Sequence, residues 1–278
     1  EAGRMKIIIG FNSFQPKKRQ HVALESWKHL KKLGLIDNIY DVQFVDSNIH
    51  KDVDVRTLLT LQRSSQDMVI DSTKRLPVVR DIFDVLSSEC EPEDYFIFTN
   101  NDVIINDNLI KHIKSTEPEC FSCSRLNIEH IDTFDSVLDR KITPLNYEIY
   151  GYDTFVFKNS WWKANNHIFQ DYLLGMPVFD NVFGCMMKIF GGNHPFGNDM
   201  PPFCFHIAHG NTWQLDNMAP ERVYNHNICE KFHLDRLCFR IMDRWNTKYI
   251  INRTPNGRYT RKIDQEKEIE HTFFKIYE

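Results

Sequence analysis

The sequence has no long apolar stretch, no excess of positive charge and no cysteine pattern typical of a zinc site. No segment approaches the roughly 18 apolar residues of a membrane span, and none has the form of a secretory signal peptide. Lys and Arg number 34 against 38 Asp and Glu, which gives a net charge of −4. This balance argues against a general role on nucleic acid or anionic lipid, although a local basic pocket for a small anion remains open. We therefore expect no transmembrane segment and no nucleic-acid partner.

The seven cysteines are odd in number and scattered. Only Cys120 and Cys123 have CxxC spacing, and no second pair completes a zinc site. We expect most of them to be buried thiols in a reducing compartment, and hence a cytoplasmic protein. Residues 1–4 are interpreted as a vector-derived remnant before a native start at Met5.

The most informative segment is Tyr95–Thr99 followed by Asn100-Asn101-Asp102. A continuous run of aromatic and β-branched residues is typical of a strand buried on both faces, at the centre of a parallel sheet. The amides and carboxylate that follow would lie at the carboxyl end of that strand, where open α/β folds bind their ligands. The segment therefore predicts a functional sheet edge, with a simple turn as the alternative.

The opening of the chain has the pattern of a βαβ unit, because a strand at 6–10, a helix at 20–33 and a strand at 42–45 follow in order. This order predicts a parallel sheet with right-handed crossovers. Residues 49–70 are mostly helical in propensity, and further elements are predicted as helices at 77–86, 106–113, 181–190 and 219–242 and strands at 121–124, 152–158 and 203–208. The fold class is therefore α/β, with a Rossmann-type mixed central sheet and helices on both faces.

The strand, the polar triplet ending in Asp102 and the apolar pair after it resemble the Asp-X-Asp region of GT-A-fold glycosyltransferases. The opening βαβ unit and the helix with Arg75 and Arg80 are similar in order and spacing, and the resemblance covers roughly residues 6 to 215. It implies one GT-A-like domain over 5–278, with a nucleotide-binding half to about residue 125 and then an acceptor-binding half with a C-terminal helical region. It also implies transfer of a sugar from a nucleoside diphosphate to a hydroxyl of a glycan acceptor.

In that superfamily, strand-end carboxylates hold a divalent ion against the diphosphate of the donor. Here Asn100 stands at the first acidic position, so Asp102 is the charged ligand and another is needed. His206 and His209 are candidates, since the resemblance implies a late histidine and imidazole with carboxylate suits Mn²⁺, with Mg²⁺ as the other possibility. Strand alternation predicts opposite faces for the two rings, so that one ligates. We favour His209, because Gly210 lets a ligand approach, while His206 could be a core histidine.

Inverting transfer needs a carboxylate that takes the proton of the acceptor hydroxyl. Asp180 is the first candidate for this base, and its alternative is a simple helix cap. Asp153 is the second, because a polar residue at this place in GT-A enzymes commonly contacts the donor sugar. If Asp180 is only a cap, a retaining reaction stays open.

Donor binding is assigned to loops after the first strands and to the edge of the central one. The candidates are Phe11, Asn12, Ser13, Asp46, Arg75, Asn100 and Asn101. Phe11 would stack on the base, Asp46 would accept from the base or ribose, and Arg75 would neutralise the diphosphate. A UDP-sugar is the favoured donor. The basic run 17–19 is interpreted as a solvated loop that could also hold phosphate, and Trp213 as a weak acceptor-site candidate.

Two other functions remain open. A metal-dependent nucleotidyltransferase or phosphoesterase could use Asp102 with His206 and His209, although residues 11–16 lack the glycine-rich phosphate loop of sugar nucleotidylyltransferases. A non-catalytic scaffold that binds glycan or nucleotide is favoured by Asn100 in place of an acid. Nucleotide binding with and without Mn²⁺ separates these possibilities.

Overall fold

The computed structural model describes residues 3–14, 18–147, 151–191, 202–209 and 219–231. The strands in this part of the chain are β1 (Ile7–Phe11), β2 (Asn38–Phe44), β3 (Val55–Leu61), β4 (Tyr95–Thr99), β5 (Val103–Ile105), β6 (Cys120–Cys123), β7 (Leu126–Ile128), β8 (Pro144–Tyr147), β9 (Thr154–Lys158) and β10 (Cys204–Ile207). The helices are α1 (Lys18–Lys32), α2 (Ser65–Met68), α3 (Val79–Ser88), α4 (Asp107–Thr116), α5 (Asp135–Leu138), α6 (Asn159–Asn165), α7 (Phe179–Gly191) and α8 (Pro220–Lys231).

The large sheet has the strand order β3-β2-β1-β4-β9-β6. Strands β1 to β4 run parallel, whereas β9 is antiparallel to both of its neighbours, β4 and β6. The predicted α/β class with a mixed central sheet is therefore confirmed. Because β1, β2 and β4 are parallel, their carboxyl ends lie at one edge of the sheet, and the loops after them surround the same region.

Alternate side chains of the central strands pack into two cores on opposite faces of the large sheet. On one face, Phe96 and Phe98 of β4 lie 6.3 and 5.3 Å from the Phe83 ring of α3, between ring centroids. On the other face, Ile97 shares a core with Trp27 of α1. Burying a side chain of this size stabilises the fold by about 1.5–3 kcal/mol. Both faces of β4 are thus covered, as its continuous apolar sequence predicted.

A small sheet with the order β5-β10-β7-β8 lies on the α1 side of the large one. Its register aligns Val103 of β5 with His206 of β10, and His206 with Asn127 of β7. The strands β5, β7 and β8 were missed in the sequence because they have only three or four residues each. This sheet sets His206 beside the chain that leaves β4.

The helical interpretation of residues 49–70 is wrong for most of that segment, which forms β3 and the single helical turn α2. Strand β3 is at the sheet edge and its interior positions are largely exposed, so it lacks the apolar run that identifies a buried strand. The strand at Tyr95–Thr99 is confirmed with its bounds. The six cysteines among the described residues are buried free thiols, and Cys238 lies outside the described residues.

Where the structure describes helices, none is long and apolar enough to cross a membrane. The predicted helix from residue 219 is observed to Lys231, and its predicted continuation to residue 242 lies outside the described residues.

Candidate metal and donor site

Asp102 lies where the chain passes from the large sheet to the small one. Strand β4 ends at Thr99, and β5 begins at Val103 after a three-residue connection. The connection is held at both ends, because the Asn100 backbone N–H donates to the Asp153 carbonyl at 2.9 Å and the Trp27 indole N–H donates to the Val103 carbonyl at 3.0 Å. The carboxylate is therefore fixed at the carboxyl end of a central strand.

Two histidines converge on this carboxylate. The Nε2 atoms of His206 and His209 lie 3.2 and 3.4 Å from the same oxygen, Oδ2 of Asp102, and the ring centroids are 4.9 Å apart. Each of the three residues offers a ligand atom within 4.8 Å of the others. One carboxylate oxygen with two imidazole nitrogens is a donor set that fits Mn²⁺ and other divalent first-row cations. The residues present thus fit a metal site.

The predicted opposite orientation of the two histidines is wrong, because both rings face Asp102. Strand β10 ends at Ile207, so Ala208 and His209 leave the alternating geometry on which that inference depended. His206 is buried on the strand, and His209 reaches the same oxygen from beyond the strand end with 28 % of its side chain exposed. Both rings are available to one ion.

Arg19 also contacts Asp102, with its Nε 3.2 Å from Oδ2. Arg19 lies in the first turn of α1, so the solvated-loop interpretation is wrong for this residue. Lys17 lies outside the described residues. Burial by itself raises the pKa of Asp102, but hydrogen bonds from His206 and His209 and the charge of Arg19 outweigh it. The net result is a pKa well below the usual range, so Asp102 is a carboxylate at neutral pH.

Asp153 is buried beside this cluster and is held by two side chains. Asn100 Nδ2 donates to its Oδ1 at 2.7 Å, and Arg125 forms an ion pair with its Oδ2. The side chains of Arg125 and Asp153 are only 17 % and 11 % exposed. Its carboxylate is thus engaged by protein donors, and Asn100 serves as the donor of one of these bonds.

Asp180 lies in the first turn of α7, inside the helix rather than at the preceding cap position. Its Oδ2 accepts the backbone N–H of Tyr152 at 3.1 Å, which sets it next to Asp153 along the chain. Burial raises the pKa of Asp180 to about 7, and the nearby charge of Asp153 acts in the same direction. A carboxyl group that titrates near neutral pH is suited to proton transfer.

The loop after β1 is tied to β2 by its own side chains. Asn12 Nδ2 donates to the Val42 carbonyl at 2.8 Å, and the Ser13 hydroxyl donates to Asp41 at 2.6 Å. Asp41 is buried in the middle of β2 and was missed in the sequence because it stands among apolar neighbours. These bonds fix the loop at the carboxyl edge of the sheet.

Phe11 and Asn101 are buried. Phe11 is 3 % exposed and packs on Trp27 at 5.0 Å and on His50 at 5.8 Å, between ring centroids, so its ring belongs to the core rather than to an open stacking surface. Asn101 Nδ2 reaches the Asn12 carbonyl at 3.5 Å. It therefore connects the end of β4 to the loop after β1.

Asp46 and Arg75, which the sequence assigned separately to the donor, form an ion pair of 2.7 Å. The Arg75 guanidinium carbon also lies 4.1 Å above the centre of the Phe44 ring, at the end of β2. The hydrogen bond from Arg75 lowers the pKa of Asp46. The side chains of both residues are exposed.

Helix α8 holds two segments that are distant from it in sequence. Buried Glu221 accepts from the Ser72 hydroxyl at 2.8 Å and thus anchors the loop that carries Arg75. Buried Asn225 accepts the Leu173 backbone N–H at 2.8 Å and donates to its carbonyl at 3.0 Å, just before α7. Neither residue was identified from the sequence, because their partners are more than fifty residues distant. Residues 210 and 213, named in the sequence analysis, lie outside the described residues.

A scan against protein-family models finds no match, and a search of curated proteins finds no relative. Among solved structures, TarS 1-349 of S. aureus is similar at 11 % identity with a TM-score of 0.46, over 98 % of this chain and 72 % of that one. The mannosyltransferase PcManGT of Pyrobaculum calidifontis, in complex with GDP-Man and Mn²⁺, is similar at 10 % identity with a TM-score of 0.43, over 99 % of this chain and 71 % of that one. At these values the likenesses assign no activity.

Proposed function

We propose that the protein is a metal-dependent glycosyltransferase that moves a sugar from a nucleoside diphosphate sugar to a hydroxyl of a glycan acceptor. The observation that carries this proposal is the convergence of Asp102, His206 and His209 at the carboxyl end of β4. That edge is also flanked by the loops after β1 and β2, where open α/β folds bind nucleotides. When bound, a divalent cation supplies positive charge to the diphosphate leaving group.

The residues around the cluster support binding of a diphosphate. Arg19 contacts Asp102 directly, and Arg75 stands over Phe44 at the neighbouring strand end. Both guanidinium groups present several N–H donors in a planar fork that suits phosphate oxygens. Their charge would stabilise the departing nucleoside diphosphate, and we propose a UDP-sugar as the donor and Mn²⁺ or Mg²⁺ as the cation.

For the acceptor we propose Asp180 as the general base, and hence an inverting reaction. Its pKa of about 7 means that it can hold a proton taken from a hydroxyl and release it to water near neutral pH. Asp153 is the second candidate, but its carboxylate is paired with Arg125. We therefore propose that Asp153 orders the sugar-binding region and that Asp180 moves the proton.

Calorimetry with UDP, GDP and CDP, each with and without Mn²⁺, tests the proposal, followed by a panel of nucleotide sugars screened for slow hydrolysis. We expect one nucleoside diphosphate to bind in a Mn²⁺-dependent manner and its sugar derivative to be hydrolysed. Nucleotide binding without any transfer or hydrolysis would favour a non-catalytic scaffold. Absence of nucleotide binding under both conditions would refute the glycosyltransferase assignment.

A further inference from the structure

A chain of polar side chains connects the end of β4 to the buried histidine of β10. Asn100 donates to Asp153, which is paired with Arg125. Arg125 Nε then donates to Oδ1 of Asn127 at 3.2 Å, and the same oxygen lies 3.1 Å from Nδ1 of His206. This series of hydrogen bonds connects the large sheet to the small one.

These hydrogen bonds determine that Nδ1 of His206 carries a hydrogen. An arginine side chain has only donors, so the Asn127 atom that faces Arg125 Nε must be the amide oxygen. An oxygen accepts, so His206 Nδ1 must carry the hydrogen that points to it. The Asp102 carboxylate also accepts, so Nε2 carries a hydrogen in the metal-free site, and a divalent cation would replace that hydrogen and bind the Nε2 lone pair. Nε2 is the nitrogen that lies 3.2 Å from Asp102.

We propose that Asn127 and Arg125 are positioning residues that hold His206 in the tautomer that ligates a divalent cation through Nε2. This inference rests on the proposed metal site and adds the residues that orient it. Asn127 fixes the ring through Nδ1, and Arg125 fixes the amide of Asn127. Asp153 in turn fixes Arg125, because the buried ion pair leaves the guanidinium little freedom.

The register of the small sheet is a second, independent support. Asn127 and His206 are direct partners across β7 and β10, so the backbone brings the two side chains together whatever their chemistry. An apolar pair would suffice for packing at such a position. The polar pair has a partner at each end instead, Arg125 on one side and Asp102 on the other.

Titration of the purified protein with Mn²⁺ alone, by calorimetry, tests this proposal. Asn127→Leu is expected to weaken Mn²⁺ binding by about 10–100-fold, which is the usual effect of removing a group that orients a metal-bound histidine. Asn127→Ala is a milder truncation that guards against loss of folding, and thermal melting verifies that each variant is folded. Asn127→Asp keeps an acceptor for Nδ1 and is expected to retain most of the affinity. Asn146→Leu is the matched control, because Asn146 is the exposed partner of Asn127 on β8.

The tautomer itself is read by ¹⁵N NMR of the imidazole of His206 with Zn²⁺ as a diamagnetic probe. We expect a protonated Nδ1 and a metal-bound Nε2 in the wild type, and loss of this pattern in Asn127→Leu. If the wild type binds Mn²⁺ but folded Asn127→Leu and Asn127→Ala bind it as tightly as Asn146→Leu, the proposal is overturned and the metal site stands. If the wild type binds no Mn²⁺, the metal site and this inference fall together.

Discussion

The two sheets contribute to the candidate site in different ways. In the large sheet, β1 has no polar side chain and β4 is apolar up to Thr99, so at these two strands the polar residues of the candidate site appear only after the strand ends. In the small sheet, Asn127 and His206 lie within their strands and have side-chain partners. The large sheet thus supplies the negative charge at its edge, while the small sheet supplies the imidazole of His206, which Asn127 orients. The carboxylate and the oriented imidazole therefore come from different sheets.

The largest effect is expected at the point where the sheets meet. Asp102→Ala removes the only carboxylate among the three candidate ligands and leaves Arg19, His206 and His209 facing one another. We expect Mn²⁺ affinity to fall by more than about 100-fold and sugar transfer to be lost. Calorimetry and a transfer assay measure this.

The control for this variant is Asp107→Ala, since Asp107 forms an exposed ion pair with Lys111 on α4. Surface pairs of this kind contribute little to stability, so we expect unchanged Mn²⁺ binding. Full sugar-transfer activity in Asp102→Ala would show that the carboxylate at the end of β4 is not needed for the reaction.

Asp180→Asn tests a residue outside both sheets. If Asp180 is the base, kcat falls by about 10²–10⁴ while Mn²⁺ affinity is kept. Because its pKa is about 7, wild-type activity should also decline as the pH falls below about 7 and the carboxylate gains a proton. A pH–rate profile measures the decline. An unchanged kcat in the variant would leave Asp180 a purely structural carboxyl group and would reopen the retaining outcome.

The same variant should change the pH dependence of stability. With a folded pKa near 7 and an ordinary unfolded value near 3.8, the folded state holds a proton that the unfolded state has lost between these values. Asp180 therefore contributes stability that is lost as the pH rises through this window. Asp180→Asn should lose less, which urea unfolding at pH 4 and pH 8 would measure. Equal pH dependence in both proteins contradicts the raised pKa.

The two histidines provide a comparison within the small-sheet side. His206 is buried and held by Asn127, whereas His209 is more exposed and lies beyond the strand end. We expect His206→Gln to weaken Mn²⁺ binding by about 10–100-fold and His209→Gln to weaken it less. Calorimetry on both variants decides the order. A larger loss of Mn²⁺ affinity in His209→Gln would mean that orientation by Asn127 does not make His206 the stronger ligand.

Packing of the large sheet is tested at Gly10. A Cβ at this position would clash with Cδ2 of buried Leu86 on α3, so Gly10→Ala should destabilise the fold by about 1–3 kcal/mol. Urea unfolding measures this difference. The double variant with Leu86→Ala should be more stable than the sum of the two single changes predicts. Strict additivity of the unfolding free energies would show that the clash is relieved elsewhere. Mn²⁺ affinity should not change in either protein.

The contrast between the sheets also explains what could be predicted from the sequence. The strand Tyr95–Thr99 and the position of Asp102 just after it were predictable, because a buried central strand has a continuous apolar run and its polar end is adjacent in sequence. The helix capped by Asn106 was predictable for a similar local reason, since its side chain accepts the Asp107 backbone N–H.

Other site residues depend on contacts that a local pattern does not contain. Arg19 belongs to a basic run, and only the packing of α1 brings it to Asp102, which is 83 residues away. Asn127 lies on a three-residue strand, and its partner His206 is 79 residues away. The joint approach of His206 and His209 depends on where β10 ends, which the alternation rule does not predict.

The central claim is that Asp102, His206 and His209 bind one divalent cation at the junction of the two sheets. Anomalous diffraction from crystals soaked in Mn²⁺ tests it most directly. We predict one strong anomalous peak at about 2.0–2.4 Å from an Asp102 carboxylate oxygen and from Nε2 of both histidines. Crystals that bind Mn²⁺ only elsewhere, with Arg19 and both histidines still against Asp102, would contradict the account.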